Sequence, residues 1–139
     1  MSLVLKMHHI GIAVADLEKA IAIHRAVFGH ELARGPFHDP IQKVSVCFLK
    51  DAVTGAGPEI ELVAPAATDS PVAGWIAKQI GAYHLCYETD DIDAALSHVR
   101  RLRCVVIAAP VPAVAFAGRR VAWFFTPTRQ LTELLERAS

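Results

Sequence analysis

Two histidines and two glutamates carry the chemistry in this chain: His9, Glu61, His84 and Glu133. Two imidazoles with two carboxylates form a donor set suited to divalent ions such as Zn²⁺, Co²⁺, Ni²⁺, Mn²⁺ or Fe²⁺. Four protein ligands on an octahedral ion leave two positions open, enough for a substrate to chelate. Taken singly, a strand histidine reads as a core or rim residue and a strand glutamate as a solvated one. The metal reading rests on repetition, because each type recurs at an equivalent place in the other half of the chain.

That repeat is visible in the residues. His9-Ile10-Gly11-Ile12-Ala13-Val14-Ala15-Asp16-Leu17 is echoed by His84-Leu85-Cys86-Tyr87-Glu88-Thr89-Asp90-Asp91-Ile92 at an offset of 75. The same offset pairs Ala20 with Ala95, Ile21 with Leu96 and Arg25 with Arg100. Further on, Val44, Val46 and Phe48 map to Val121, Trp123 and Phe125 at an offset of 77, and Glu61 maps to Glu133 at 72. Loops absorb insertions and deletions cheaply, so the drift in offset is compatible with one duplicated unit.

The elements that position these residues follow from periodicity. Residues 4–14 alternate as a strand, with Ile10, Ile12 and Val14 on one face and His9 on the other. Asp16 then reads as an N-cap, and Leu17, Ala20, Ile21, His24, Val27 and Phe28 follow at helical spacing up to the stop at Gly29. Residues 34–40 have the Gly and Pro density of a loop, and residues 42–49 and 59–63 read as strands. Asp69-Ser70-Pro71 opens a linker helix over residues 70–80, stopped by Gly81, whose Trp75 and Ile76 read as packing residues. The second half repeats the plan: a strand over 83–88, a helix over 91–102 buried through Ile92, Ala95, Leu96 and Val99, and strands over 104–109, 121–125 and 131–136.

The expected fold is α+β: two tandem βαβββ modules forming a curved, cup-shaped mixed sheet around a metal cleft. One domain spans residues 1–139, with pseudo-repeat halves over 4–65 and 82–136. Of the remaining histidines, His8 faces away from the cup, His24 and His98 lie in helices, and His30 and His38 lie in or near a loop. Met1-Ser2-Leu3 precede the pattern and read as partly foreign to it.

Composition narrows the function classes. In 139 residues, 14 Lys and Arg balance 14 Asp and Glu, which disfavours nucleic acid or an anionic membrane surface as partner. Residues 104–117 are the longest apolar run, broken by Pro110 and Pro112 and short of the roughly 20 residues of a membrane span. Cys47, Cys86 and Cys104 are odd in number and lie in apolar runs, so they read as structural thiols in a reducing compartment, the cytoplasm.

The repeated His-Ile-Gly-Ile-Ala-Val-Ala-Asp-Leu pattern, with Ile60-Glu61-Leu62 and Thr132-Glu133-Leu134, resembles the vicinal oxygen chelate (glyoxalase/bleomycin resistance/dioxygenase) superfamily over nearly the whole chain. Residues 61–65, 69–75, 83–84 and 90–92 are most similar to its methylmalonyl-CoA epimerase family. The resemblance implies metal ligands at His9, Glu61, His84 and Glu133, the same four that the repeat selects. It implies a divalent ion (Zn, Co, Ni or Mn), a small-molecule carbonyl substrate such as an acyl-CoA, and a homodimer.

Two departures bear on the substrate. The turn at Thr126-Pro127-Thr128-Arg129-Gln130 is shorter than the epimerase pattern and lacks its His-Pro-Lys. A second carboxylate base found on the strand matching residues 42–49 in some epimerases is replaced here, its nearest equivalent being Val46. Glu61 stands where epimerases can carry Gln, and glyoxalase I also has Glu there.

The implied chemistry is isomerisation through an enolate, with Glu133 as the catalytic base and Glu61 as its mirror partner. The alternatives are a glyoxalase I-like lactoylglutathione lyase and a non-catalytic resistance or ligand-sequestering protein. An extradiol dioxygenase fits less well, since Glu61 would crowd the third open position that its chemistry needs. Arg119, Arg120, Arg129 and Lys43 read as surface charge.

Overall fold

A computed structural model describes residues 3–138, which leaves most of the expectation for Met1-Ser2-Leu3 outside the described residues. The duplication reappears as two units. One is His9–Tyr83, and the other joins residues 84–138 to residues 3–8. The α+β class and the two βαβββ modules are as expected from the sequence.

In the first unit, strand β1 (Leu5–Ala13) is followed by helix α1 (Leu17–Phe28) and strands β2 (His30–Asp39), β3 (Val44–Asp51) and β4 (Glu59–Pro65). The strand order is β2-β3-β4-β1, with β1 and β4 parallel and the other neighbours antiparallel. Asp16 caps α1 by accepting a hydrogen bond from the Lys19 N–H at 3.1 Å, and Gly29 ends it in the left-handed conformation at φ 68°. Ala20 of α1 packs with Cys47, Leu49 and Leu62 of the sheet, joined by Ile12, Val14, Leu17, Ile21 and Ile60. Burying a side chain such as Leu62 contributes about 1.5–3 kcal/mol, so this helix-on-sheet layer fixes β4 and the Glu61 it carries.

Three expectations are corrected here. The Gly- and Pro-rich residues 34–40 form no loop: β2 runs to Asp39, and register shifts against β3 between Leu32 and Arg34 and between Arg34 and Phe37 absorb Gly35-Pro36. Lying at the end of this unit's strand order, β2 tolerates a proline that would break a ladder on both sides. The apolar stripe of α1 also ends early, for Val27 and Phe28 are 66% and 62% exposed. The third difference is in the linker. Helix α2 (Val72–Ala77) is shorter than 70–80, begins at Pro71 without a side-chain cap, and is over before Gly81.

In the second unit, β5 (Ala82–Thr89) leads into α3 (Ile92–Arg101), β6 (Val105–Pro112), a single 3-10 turn (Val114–Phe116), β7 (Arg120–Phe125) and β8 (Leu131–Glu136). The order is β5-β8-β7-β6, again with the first and last strands of the module parallel. Asp91 caps α3 through the Ala94 N–H at 3.0 Å. Ile92, Ala95, Leu96 and Val99 pack against Ala122, Phe124 and Leu134, as their spacing predicts. Strand β6 continues through Pro110 to Pro112, past the expected end at 109, because it sits at the end of its strand order.

Candidate functional site

The first unit brings His9 and Glu61 together. Gly11 pairs with Glu61 across the parallel β1/β4 ladder, and His9 pairs with Glu59, so both side chains leave the same face two residues apart in register. His9 is fully buried and Glu61 is 6% exposed, with His9 Nε2 at 3.3 Å from Glu61 Oε1.

The second unit repeats this with other residues. Cys86 pairs with Glu133 across β5/β8, which again puts His84 two positions back in register. His84 Nε2 lies 3.6 Å from Glu133 Oε1, and both residues are buried. The two pairs are therefore equivalent in strand, parity and register.

Both Nε2 to Oε1 separations are longer than the roughly 2.7–2.9 Å of a strong charge-assisted hydrogen bond. Two donors bound to one ion at about 2.1 Å stand about 3.0–3.4 Å apart, so the pairs are spaced much as neighbouring ligands would be. The donor chemistry fits a divalent metal in each half of the set. When bound, such an ion would supply positive charge to stabilise negative charge on a carbonyl oxygen.

Each histidine also has an aromatic neighbour that the sequence reading did not single out. Phe48 pairs with Glu61 across β3/β4, and its ring meets His9 edge-on at 5.5 Å between centroids. Trp123 pairs with Glu133 across β7/β8 and meets His84 edge-on at 4.8 Å. Phe48 thus corresponds to Trp123 at an offset of 75, not to Phe125 at 77 as the apolar alternation predicts. A period of two cannot distinguish registers that differ by two residues. The shared offset of 75 with His9 and His84 was the signal that could have found it. Both aromatics fix ring orientation by edge-to-face packing.

On the sheet face beside Phe48, Val44 and Val46 are buried and Cys47 points the other way, into the α1 layer. Burial, and secondarily the Glu61 charge, pushes the Cys47 thiol up to about 11, which keeps it protonated at neutral pH. Cys86 is also buried, whereas Cys104 is only half-buried. Among the other histidines, His8 packs on Phe116 at 5.5 Å, and His30 and His38 lie within β2 and not in a loop. Of the cations read as surface charge, Lys43 pairs with Asp69, Arg119 with Glu88, and Arg120 with Glu136 and Asp93.

The sequence and the fold both match a known group. The chain belongs to the glyoxalase/bleomycin resistance protein/dioxygenase superfamily, whose pattern matches residues 8–123 and so includes His9, Glu61 and His84. Within it, the chain is similar to the ethylmalonyl-CoA/methylmalonyl-CoA epimerase of Cereibacter sphaeroides, with 34% identity over 118 residues and 84% of each chain covered. Among solved structures, methylmalonyl-CoA epimerase from Mycobacterium tuberculosis matches with a TM-score of 0.81 and 27% identity, over 96% of this chain and 89% of that one. A variant of the Streptomyces coelicolor methylmalonyl-CoA epimerase, in complex with 2-nitronate-propionyl-CoA, matches with a TM-score of 0.75 and 31% identity, over 99% and 100%.

Proposed function

We propose that His9, Glu61, His84 and Glu133 together hold one divalent cation (Zn, Co, Ni or Mn), and that the chain is a metal-dependent epimerase of the methylmalonyl-CoA type. Its substrate is an acyl-CoA thioester with an acidic C–H next to the carbonyl. The observation that carries this reading is the equivalence of the two buried pairs, His9 with Glu61 and His84 with Glu133, each in the same register of a parallel ladder. The similarity to epimerases over most of the chain supports the substrate class.

Epimerisation requires a proton to leave one face of a carbon and another to arrive on the opposite face. Glu133 is the base on one face and Glu61 its counterpart on the other, as their symmetric places in the two modules suggest. The β3 face offers no third carboxylate, since Val44, Val46 and Phe48 occupy it. Phe48 and Trp123 limit water around the imidazoles, which strengthens every electrostatic contact made there.

A glyoxalase I-like lyase remains the second reading, favoured by the carboxylate at Glu61. We place the protein in the cytoplasm as a homodimer acting through one domain of 139 residues. Among the described residues no helix is long and apolar enough to cross a membrane.

The test is exchange of the substrate α-proton with D₂O, followed by NMR for methylmalonyl-CoA and for the glutathione hemithioacetal, using Zn-, Co-, Ni- and Mn-loaded protein. Exchange on the thioester is expected, and its absence with every ion would remove the epimerase reading. Glu133→Gln should retain metal and lose exchange by about 10²–10⁴-fold. Unchanged exchange in that variant would refute the role of Glu133.

A further inference from the structure

We propose that His24 and His30 form a further divalent-metal site, which takes Zn²⁺ through both imidazoles with water completing the shell. The pair lies at the C-terminal end of α1, the helix whose Ala20 packs on Cys47, Leu49 and Leu62. His9 and Glu61 leave the opposite face of that sheet, because Leu62 and Glu61 are neighbours on one strand. The two sets of donors therefore belong to different sides of the first unit.

Local structure brings the pair together. Gly29 turns the chain out of α1 in the left-handed conformation at φ 68°, and β2 opens immediately at His30. The two Nδ1 atoms then stand 3.3 Å apart. Phe28 packs on both rings, at 5.2 Å from His24 and 5.3 Å from His30 between centroids, and the imidazoles lie within 26° of parallel. Their orientation is set before an ion arrives, which lowers the entropy cost of binding it.

Several features favour a cation at this point. Two nitrogens bound at about 2.0–2.1 Å to a tetrahedral ion stand about 3.3–3.4 Å apart, the spacing that the pair has. Donors at a right angle would stand only about 2.8–2.9 Å apart, so among the ions that imidazole suits the spacing selects Zn²⁺ over square-planar Cu²⁺ or Ni²⁺. Carbonyls at the C-terminal end of α1 carry partial negative charge. Asp51 stands opposite His30 across β2/β3, and the Val53 N–H at 2.7 Å and the Thr54 hydroxyl at 3.1 Å hold its carboxylate ionised. Both histidines are partly exposed, which lets water reach the remaining positions. Between two neutral rings, one Nδ1–H donates to the other Nδ1. On binding Zn²⁺ the donor ring carries its proton on Nε2 instead, and both Nδ1 lone pairs meet the ion with no net proton change.

Equilibrium dialysis against Zn²⁺ at about pH 7.5, where an ordinary imidazole is neutral, tests the site by counting bound ions through elemental analysis. His24→Gln and His30→Gln should each lose about one ion per chain relative to the wild type. His84→Ala removes a donor of the other set, so its loss should add to that of His24→Gln in the double variant. In the wild type, the ring NMR signals of His24 and His30 should shift together as Zn²⁺ is added, an observation that needs no variant. Melting temperatures report whether the variants are folded. An ion count unchanged in folded His24→Gln, or ring signals unmoved at saturating Zn²⁺, would leave a hydrogen-bonded pair only and overturn the site. Failure of His84→Ala to lose an ion would count against the four-residue set alone, since the His24 count is read separately.

Discussion

His84 Nε2 and Glu133 Oε1 stand 3.6 Å apart on neighbouring parallel strands, buried, with the Trp123 ring packed T-shaped on the imidazole. That separation is loose for an ion pair and suited to two donors around a shared cation. Metal should accordingly stabilise the fold. Free ion at a hundred times its dissociation constant adds about 2.7 kcal/mol to a state that alone binds it. Chelation is expected to lower the melting temperature, readdition of Zn²⁺ or Co²⁺ to restore it, and His84→Ala to abolish the response. A response of wild-type size in His84→Ala would exclude this histidine from the site.

The two N-caps provide a check on the duplication by stability alone. Asp16 accepts from Lys19 and Asp91 from Ala94, at 3.1 and 3.0 Å. Replacing either aspartate by alanine should cost about 1 kcal/mol, or roughly 2–4 °C in melting temperature. The caps share no bonding partner, so the double variant should show the sum of the two losses in a thermal melt.

How much of this was readable from the sequence depends on the element. The pairings of His9 with Glu61 and of His84 with Glu133 could be read because a strand fixes parity and a duplication states it twice. Strand β8 was legible to the residue, for a polar turn on one side and the Glu133 alternation bound it. Strand β2 was not, since Gly35 and Pro36 signal a break wherever a ladder could not tolerate them, and only the sheet order reveals that this strand has an end position. Phe48 and Trp123 were misaligned for a related reason: a period of two is indifferent to a two-residue slip.

Gly35 has a stricter requirement than turn chemistry alone. Its φ is +92°, and a Cβ added there would meet the Val46 carbonyl oxygen at 3.0 Å and the Cys47 Cα at 3.1 Å. Both are backbone atoms of the adjacent strand, which cannot move without disturbing the β3/β4 ladder that aligns Phe48 with Glu61. Gly35→Ala should lose about 2–3 kcal/mol from the combined backbone strain and crowding. Denaturant unfolding would measure it, and an effect below about 0.5 kcal/mol would show that β2 relaxes freely.

His24 sets an acid limit on the first unit. Its Nδ1 lies 3.3 Å from Nδ1 of His30, both rings pack on Phe28, and Asp51 faces His30 across β2/β3. Burial, followed by the charge of His30, holds the His24 imidazolium below its ordinary value of 6.5. The unfolded chain therefore takes up this proton first as pH falls. The stability contributed by neutral His24 is complete above about pH 6.5 and declines on acidification toward its lower folded value. NMR titration of the His24 ring should give a midpoint below 6.5. His24→Asn should flatten the fall in melting temperature between about pH 7 and 5.5, and an unchanged slope there would mean that other groups set the acid limit.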